Sequence, residues 1–570
     1  MVNPETGETQ AQFAKRTQWW RDAKFGMFVH WGIYSVPNSD HANTDLSEWY
    51  LSLHKMQVAD YEKYAAQFDP IGFDARAWVA AAKAAGMKYI TVTTKHHDGF
   101  CMFDSKLTDY NVVKATPWHH DPIKDLAAEC KKQGITLCFY YSVMDWHHPD
   151  YLPRRDWDTR PTTGASLDHY IDYLKGQLTE LLTNYGPIGG IWFDGHWEHN
   201  AADLHALDVV KHIRSVQPSE MINDRINLPE DYATPEQTIP GGALPNGRLW
   251  ETCMTINDHW GYAWNDANFK TTEDLVHKLC DIASKGGNFL LNVGPDKNGV
   301  IPAEEVTRLR EIGDWMKGNG DSIYGTTASP FKRVSFDGRV TRKENTLYLQ
   351  VFHWPDGDLR LEHLKTPVRS AESLVGRQRL PVKTLPDGTV TIGKPERLDP
   401  LAAVVAVHLA GPPQIDPASL LIQPLADGGY NLLAQDADIH GASLRTQVDD
   451  GVTNMGYWTD AKETASWTVT VPRERTGAAS YHVALEYSCP PDSDGSTYDV
   501  VLDTGAGSPP QTLHGAVTAT GSWDTYQTVT LDGTVSLPAG ASQATVRIVP
   551  VTKPKFAVMN LRRIRLTPAP

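Results

Sequence analysis

Asp194 has the setting best suited to chemistry in this chain. It closes the apolar run 188–193 and precedes Gly195, where the missing side chain lets another group come close. A carboxylate there, walled by Trp192, can attack an electrophilic carbon or stabilise a cation. Its plain structural alternative is a cap on the following helix. Other apolar runs end alike, in His30-Trp31, His96-His97-Asp98, Tyr140-Tyr141-Ser142, Asn223-Asp224-Arg225 and Trp250-Glu251-Thr252. Scattered core histidines would not fall so regularly at one end of apolar segments.

These residue types suit a sugar. Trp rings pack on the C–H face of a pyranose, while His, Tyr and Glu exchange hydrogen bonds with hydroxyls. Lys and Arg are scarce at the run ends, which disfavours a phosphorylated substrate. His96-His97-Asp98 also admits a metal reading or simple core packing. Adjacent strand residues point to opposite faces, however, and no ligand-like His spacing accompanies the pair, so hydroxyl binding is the expected role. His119-His120 and His147-His148 fall in loops and are expected to be solvated or at a rim.

The elements that must position these groups alternate. Strands are predicted at 25–30, 89–94, 135–142, 190–194, 221–225, 249–254 and 288–293, with helical spacing at 74–85, 122–133, 167–185 and 271–285. Thr271-Thr272-Glu273-Asp274 reads as a helix start, and Gly134 and Gly286 as stops. Such alternation over about 300 residues fits an irregular (β/α)₈ barrel, whose active site lies where the C-terminal strand ends converge. A doubly wound sheet is the alternative, but no Gly-rich phosphate loop opens a helix. After Tyr324 the pattern becomes short β-like runs, with two strands around Glu344-Asn345, and a Pro-rich break falls at Ala410-Gly411-Pro412-Pro413. The expected organisation is a barrel over 1–322 and two all-β sandwiches over 323–411 and 412–570. In the last, Tyr457, Trp458, Trp467, Trp523 and Tyr526 are either sugar-stacking rings or, more ordinarily, core.

Composition narrows the function. The 570 residues are 41% hydrophobic and 21% charged, ordinary for a globular chain, and the net charge of −16 disfavours nucleic acid. No apolar run approaches the roughly 18 residues of a membrane span. The N-terminus, MVNPETGETQ, has no signal-peptide pattern, leaving a cytoplasmic or secreted location open. Six cysteines are too few for a disulfide framework, and Cys130, Cys138 and Cys253 sit in apolar patterns that imply buried thiols. Of 18 Trp and 22 His, most precede position 320, which places the chemistry in the first part.

The segments WWRDAKFGMFVHWGIYSVP (19–37), EWY (48–50), KHHDGFCMFDS (95–105), YYSVMDWHHPDY (140–151), GGIWFDG (189–195), WETC (250–253) and NFLLNVGPDKNGVIP (288–302) together resemble the α-L-fucosidases of glycoside hydrolase family 29. The resemblance spans about 300 of the 570 residues. It implies retaining exo-hydrolysis of terminal α-L-fucose on an irregular (β/α)₈ barrel with a C-terminal β-sandwich, and no metal or other cofactor. It further implies Asp194 as nucleophile, and a fucose pocket of His30, Glu48, Trp49, His96, His97, Tyr141 and Trp192, with Arg225 a looser match. The 412–570 segment resembles a carbohydrate-binding module.

The acid/base is less fixed by the family pattern. Thr234-Pro235-Glu236 is similar to the segment bearing it in the subgroup that prefers α-1,3 and α-1,4 linkages, which implies Glu236. Glu251, in WETC, is the alternative. A retaining pair stands about 5–5.5 Å apart, one carboxyl ionised and one protonated. The expected partner is a fucosylated oligosaccharide or glycan, with neither nucleic acid nor membrane. The sequence leaves oligomeric state open. The rival readings are a fucose lectin on an inactive barrel and a relative acting on another sugar.

Overall fold

Eight parallel strands curl around a shared interior in the order β5-β4-β3-β2-β1-β8-β7-β6. They are β1 (Phe25–Val29), β2 (Tyr89–Lys95), β3 (Thr136–Ser142), β4 (Gly190–Asp194), β5 (Met221–Ile222), β6 (Tyr232–Ala233), β7 (Leu249–Thr255) and β8 (Asn288–Val293). The computed structural model describes residues 7–569 apart from 43, 241, 243, 245–246, 418–420, 442, 450–451, 473–476, 506–508 and 539–540. The barrel is nearly closed: β5 and β6 meet only at the Asn223–Tyr232 bridge.

Each strand is buried on both sides, and its alternating residues serve two cores. Phe28, Tyr89, Cys138, Tyr140, Trp192, Cys253 and Leu290 fill the barrel interior. Their neighbours Val29, Ile90, Phe139, Tyr141, Phe193 and Leu291 pack outward against the helices. Helix Pro122–Gln133 is capped by Asp121, which accepts from the Lys124 N–H at 3.1 Å, and stops at Gly134, whose φ of +75° suits glycine. Thr271 caps Thr272–Ser284. Two further helices, Ala206–Val216 and Ala303–Asn319, complete the shell. The first starts from a left-handed His205 with no side-chain cap. In the second the apolar stripe is interrupted by buried Glu305 and by Gly313, where a Cβ would lie 1.9 Å from the Ala84 carbonyl.

The predicted strand at 221–225 stops at Ile222. Asn223 replaces a ladder residue with its side chain, accepting from the Phe193 N–H and donating to the Phe193 carbonyl, both at 2.9 Å. Asp224 N–H still reaches the Tyr232 carbonyl, at 3.1 Å, and Arg225, the next residue, enters the barrel mouth.

Beyond the barrel all sheets are antiparallel. The hairpin Gly338–Lys343/Thr346–Val351 turns at Glu344-Asn345 within a five-stranded sheet faced by a three-stranded one. Strand Ala403–Leu409 divides its faces: Val404 and Ala406 join the barrel core, Val405 and Val407 the sandwich core. A seven-stranded and a five-stranded sheet enclose the last core. Trp458 and Trp467 are buried in that core, whereas Tyr457 is 43% exposed.

Candidate active site

At the C-terminal mouth of the barrel a cavity of about 110 Å³ is lined by Phe28, His30, Glu48, Trp49, His96, His97, Tyr140, Trp192, Asp194, Trp197, Arg225, Glu236, Cys253 and Trp260. Nine of the residues expected at the site converge here: Asp194, Glu236, His30, Glu48, Trp49, His96, His97, Trp192 and Arg225.

Arg225 organises the site. Its Nη1 donates to Asp194 Oδ1 at 2.9 Å and its Nη2 to Glu236 Oε2 at 2.6 Å, so one planar guanidinium holds both carboxylates. The cation lies over the Trp192 ring, 4.7 Å from its centroid, and its Nε donates to the Thr234 hydroxyl at 3.0 Å. Thr234 in turn donates to Asp224 at 2.8 Å. The residues on either side of Glu236 clip this loop to β7: Cys253 N–H donates to the Pro235 carbonyl and Gln237 N–H to the Cys253 carbonyl. Thr234-Pro235-Glu236 is therefore a continuous device that aims the guanidinium and carries the second acid.

Asp194 Oδ2 accepts from the Tyr140 hydroxyl at 2.9 Å and lies 3.8 Å from His97 Nε2. Burial pushes the Asp194 carboxyl up, but Arg225, His97 and Tyr140 outweigh it and hold the group below the usual carboxylate range. Replacing Arg225 with Met removes the largest of these attractions. The Asp194 carboxyl should then titrate higher, moving the acid limb of the kcat/KM profile to higher pH and lowering kcat/KM at neutral pH about 10²-fold or more. A pH–rate series checks this; an acid limb left in place would separate Arg225 from Asp194 ionisation.

The histidines are neutral hydrogen-bonding groups. Burial pulls His30 and His97 down to about 4 and holds His96 well below the ordinary imidazole value. His30 Nδ1 pairs with Asn292 at 2.7 Å and His97 Nδ1 with Ser142 at 2.6 Å, fixing both rings. His96 Nδ1 and Glu48 Oε1 are buried without a partner. Unmet groups of this kind in a polar cavity are what sugar hydroxyls would satisfy. Among the described residues no set of three or more His, Cys, Asp or Glu side chains is disposed to hold a metal ion.

Two expected residues lie elsewhere. Tyr141 does not line the cavity and Tyr140 does: strand parity turns Tyr141 into the helix shell, where its hydroxyl donates to Gln177 at 2.7 Å, while Tyr140 stands beside Trp192 facing inward. Glu251, the alternative acid/base, is inside the barrel but one layer below the cavity, since Cys253 occupies the lining position on β7. Its carboxyl accepts from the Tyr89 hydroxyl and, at 3.2 Å, from the Trp192 indole. Trp197 and Trp260 also line the cavity. Trp197 comes from the single turn His196–Glu198 after β4 and Trp260 from a loop, segments too short for any periodicity to mark them.

A profile of the alpha-L-fucosidase family matches residues 3–321, more than half of the chain. The chain belongs to the alpha-L-fucosidase family. Among solved structures it is similar to alpha-L-fucosidase isoenzyme 1 from Paenibacillus thiaminolyticus, with 38% identity and a TM-score of 0.65 over 70% of this chain and 99% of that one. An alpha-L-fucosidase from Vibrio sp. strain EJY3 matches 97% of this chain and 98% of its own at 26% identity, with a TM-score of 0.75. A third, a GH29 alpha-L-fucosidase from Bacteroides thetaiotaomicron, matches at 28% identity with a TM-score of 0.64 over 70% and 96% of the two chains. That enzyme is described as a trapped covalent intermediate with 2-fluoro-fucosyl fluoride in a Glu-to-Gln mutant. The present chain is thus a glycoside hydrolase, an alpha-L-fucosidase acting on fucosylated substrates.

Proposed function

We propose that this fucosidase is a retaining exo-enzyme in which Asp194 is the nucleophile and Glu236 the acid/base, acting on α-1,3- and α-1,4-linked fucose. The observation that carries the reading is the shared guanidinium: the two carboxyls it holds, Asp194 and Glu236, balance its single charge when one of them takes a proton. Asp194, among Arg225, Tyr140 and His97, is the one suited to keep its charge. The Glu236 side chain is 41% exposed against 12% for Asp194, so it can exchange protons with water.

In the first step the Asp194 carboxylate attacks the anomeric carbon while the Glu236 proton passes to the departing glycosidic oxygen. The C–O bond breaks and a fucosyl ester forms on Asp194. Glu236, now ionised, takes a proton from water as that water attacks the same carbon. The ester bond breaks, α-L-fucose leaves, and Glu236 is again protonated. A covalent intermediate trapped in the Bacteroides thetaiotaomicron relative supports this two-step course.

The linkage preference is supported by the Thr234-Pro235-Glu236 resemblance. Hydrolysis of Lewis a and Lewis x trisaccharides is expected to outpace that of 2′-fucosyllactose, measured as free fucose. Faster release from 2′-fucosyllactose would overturn the preference.

Glu251 has a supporting part, holding the Trp192 indole on which Arg225 rests. Burial pushes its carboxyl up to about 7, so a neutral amide is a close stand-in. Glu251→Gln should keep kcat/KM on the trisaccharide within about tenfold. A true acid/base would lose about 10²-fold or more by the same change. Glu251→Ala leaves buried Tyr89 and Trp192 donors unmet, at roughly 1–3 kcal/mol each, and should lower the melting temperature.

A further inference from the structure

We propose that Trp197 is the platform for the sugar to which fucose is attached, and so a determinant of which glycans the enzyme accepts. The inference rests on Asp194 and Glu236 being the reacting pair.

The cavity runs from a sealed floor to an open rim. His30, Glu48, His96, His97, Tyr140, Trp192 and Asp194 are buried, whereas Trp197 is 51% exposed and Glu236 is part-exposed. The leaving sugar must extend from the cavity toward solvent, and Trp197, which lines the same cavity, is its most exposed tryptophan. The ring is one residue's breadth from the reacting centre. It meets His97 edge-on at 5.6 Å and 88°, and His97 lies 3.8 Å from Asp194. Trp197 also lies nearly parallel to Trp49, at 6.2 Å and 18°.

The ring is held rather than left to fold away. Its turn, His196–Glu198, leaves β4 through Gly195, whose φ is +76° and where a Cβ would lie 2.6 Å from Met144 Cβ. Glu198 is fixed by Arg155 at 2.7 Å and by the Tyr151 hydroxyl at 2.8 Å. Asn227 donates to the carbonyls of His196 and His199, each at 3.0 Å. One other described tryptophan, Trp264, is exposed, and its ring is stacked on His41 at 4.1 Å. A rigidly mounted half-exposed indole at a sugar cavity offers a flat apolar face, and the C–H face of a pyranose is its natural complement.

The test compares two substrates that differ only in the group on that side. α-L-Fucosyl fluoride has a one-atom leaving group, whereas a Lewis-type trisaccharide presents a ring. In Trp197→Ala the ratio of kcat/KM for trisaccharide to that for fluoride should fall tenfold or more, chiefly through KM, and Trp197→Phe should recover most of it. A ratio within threefold of wild type, whether both activities fall or neither does, would overturn the platform. Failure of the wild-type enzyme on both substrates would instead sink the catalytic assignment.

Discussion

Asp194→Ala should lower kcat/KM for fucosides about 10⁴-fold or more, the scale of losing a group that forms a covalent intermediate. Among the described residues no other carboxylate is bonded by both Arg225 and Tyr140, so no second group is held where Asp194 stands. Azide, small enough to enter the space vacated by the side chain, should restore turnover of aryl fucoside. It attacks from the nucleophile's side in a single displacement, so the product is a fucosyl azide of inverted anomeric configuration. Proton NMR of that product is the check. Near-normal hydrolysis by the variant, or an azide product of retained configuration, would remove Asp194 from the nucleophile's role.

Glu236→Ala should produce an opposite pattern. On Lewis-type trisaccharides, whose leaving hydroxyl needs a proton, kcat/KM should fall about 10²–10⁴-fold. On 4-nitrophenyl fucoside the first step needs little acid assistance, and kcat/KM should fall by no more than about tenfold. The second step still lacks its base, so azide should accelerate turnover here too. In this variant it intercepts the ester on Asp194, and the fucosyl azide should retain configuration. Equal losses on both substrates, without azide product, would leave Glu236 as a partner of Arg225 and nothing more.

The legibility of this site follows from its construction. Apolar runs ending in polar or aromatic residues mark strands that open into a barrel mouth, which is why Asp194, His30 and the His96-His97 pair are visible from sequence. Face is harder where both candidates are aromatic: Tyr140 and Tyr141 have equal claims until β4 pairs Tyr140 with Trp192. Height is harder again, since Glu251 and Cys253 share a face of β7 and only the barrel's layering puts the thiol at the cavity and the carboxyl beneath it. Arg225 follows a strand that Asn223 terminates by side-chain pairing, an event no periodicity announces. Trp197 and Trp260 sit on a short turn and a loop whose paths are set by partners far along the chain, such as Asn227 for the turn after β4. The motif resemblance locates Glu236, and the structure adds why Thr234 and Pro235 accompany it.

Incubation with 2-fluoro-fucosyl fluoride, followed by proteolysis and mass spectrometry, tests the central claim most directly. The electron-withdrawing fluorine slows both steps while the reactive leaving group keeps the first one faster, so a nucleophile accumulates as its ester. The account predicts one added 2-fluoro-fucosyl group, on the peptide containing Asp194, with activity lost in step and regained on prolonged incubation in buffer. Inactivation without an adduct, or an adduct on any other carboxylate, would contradict it.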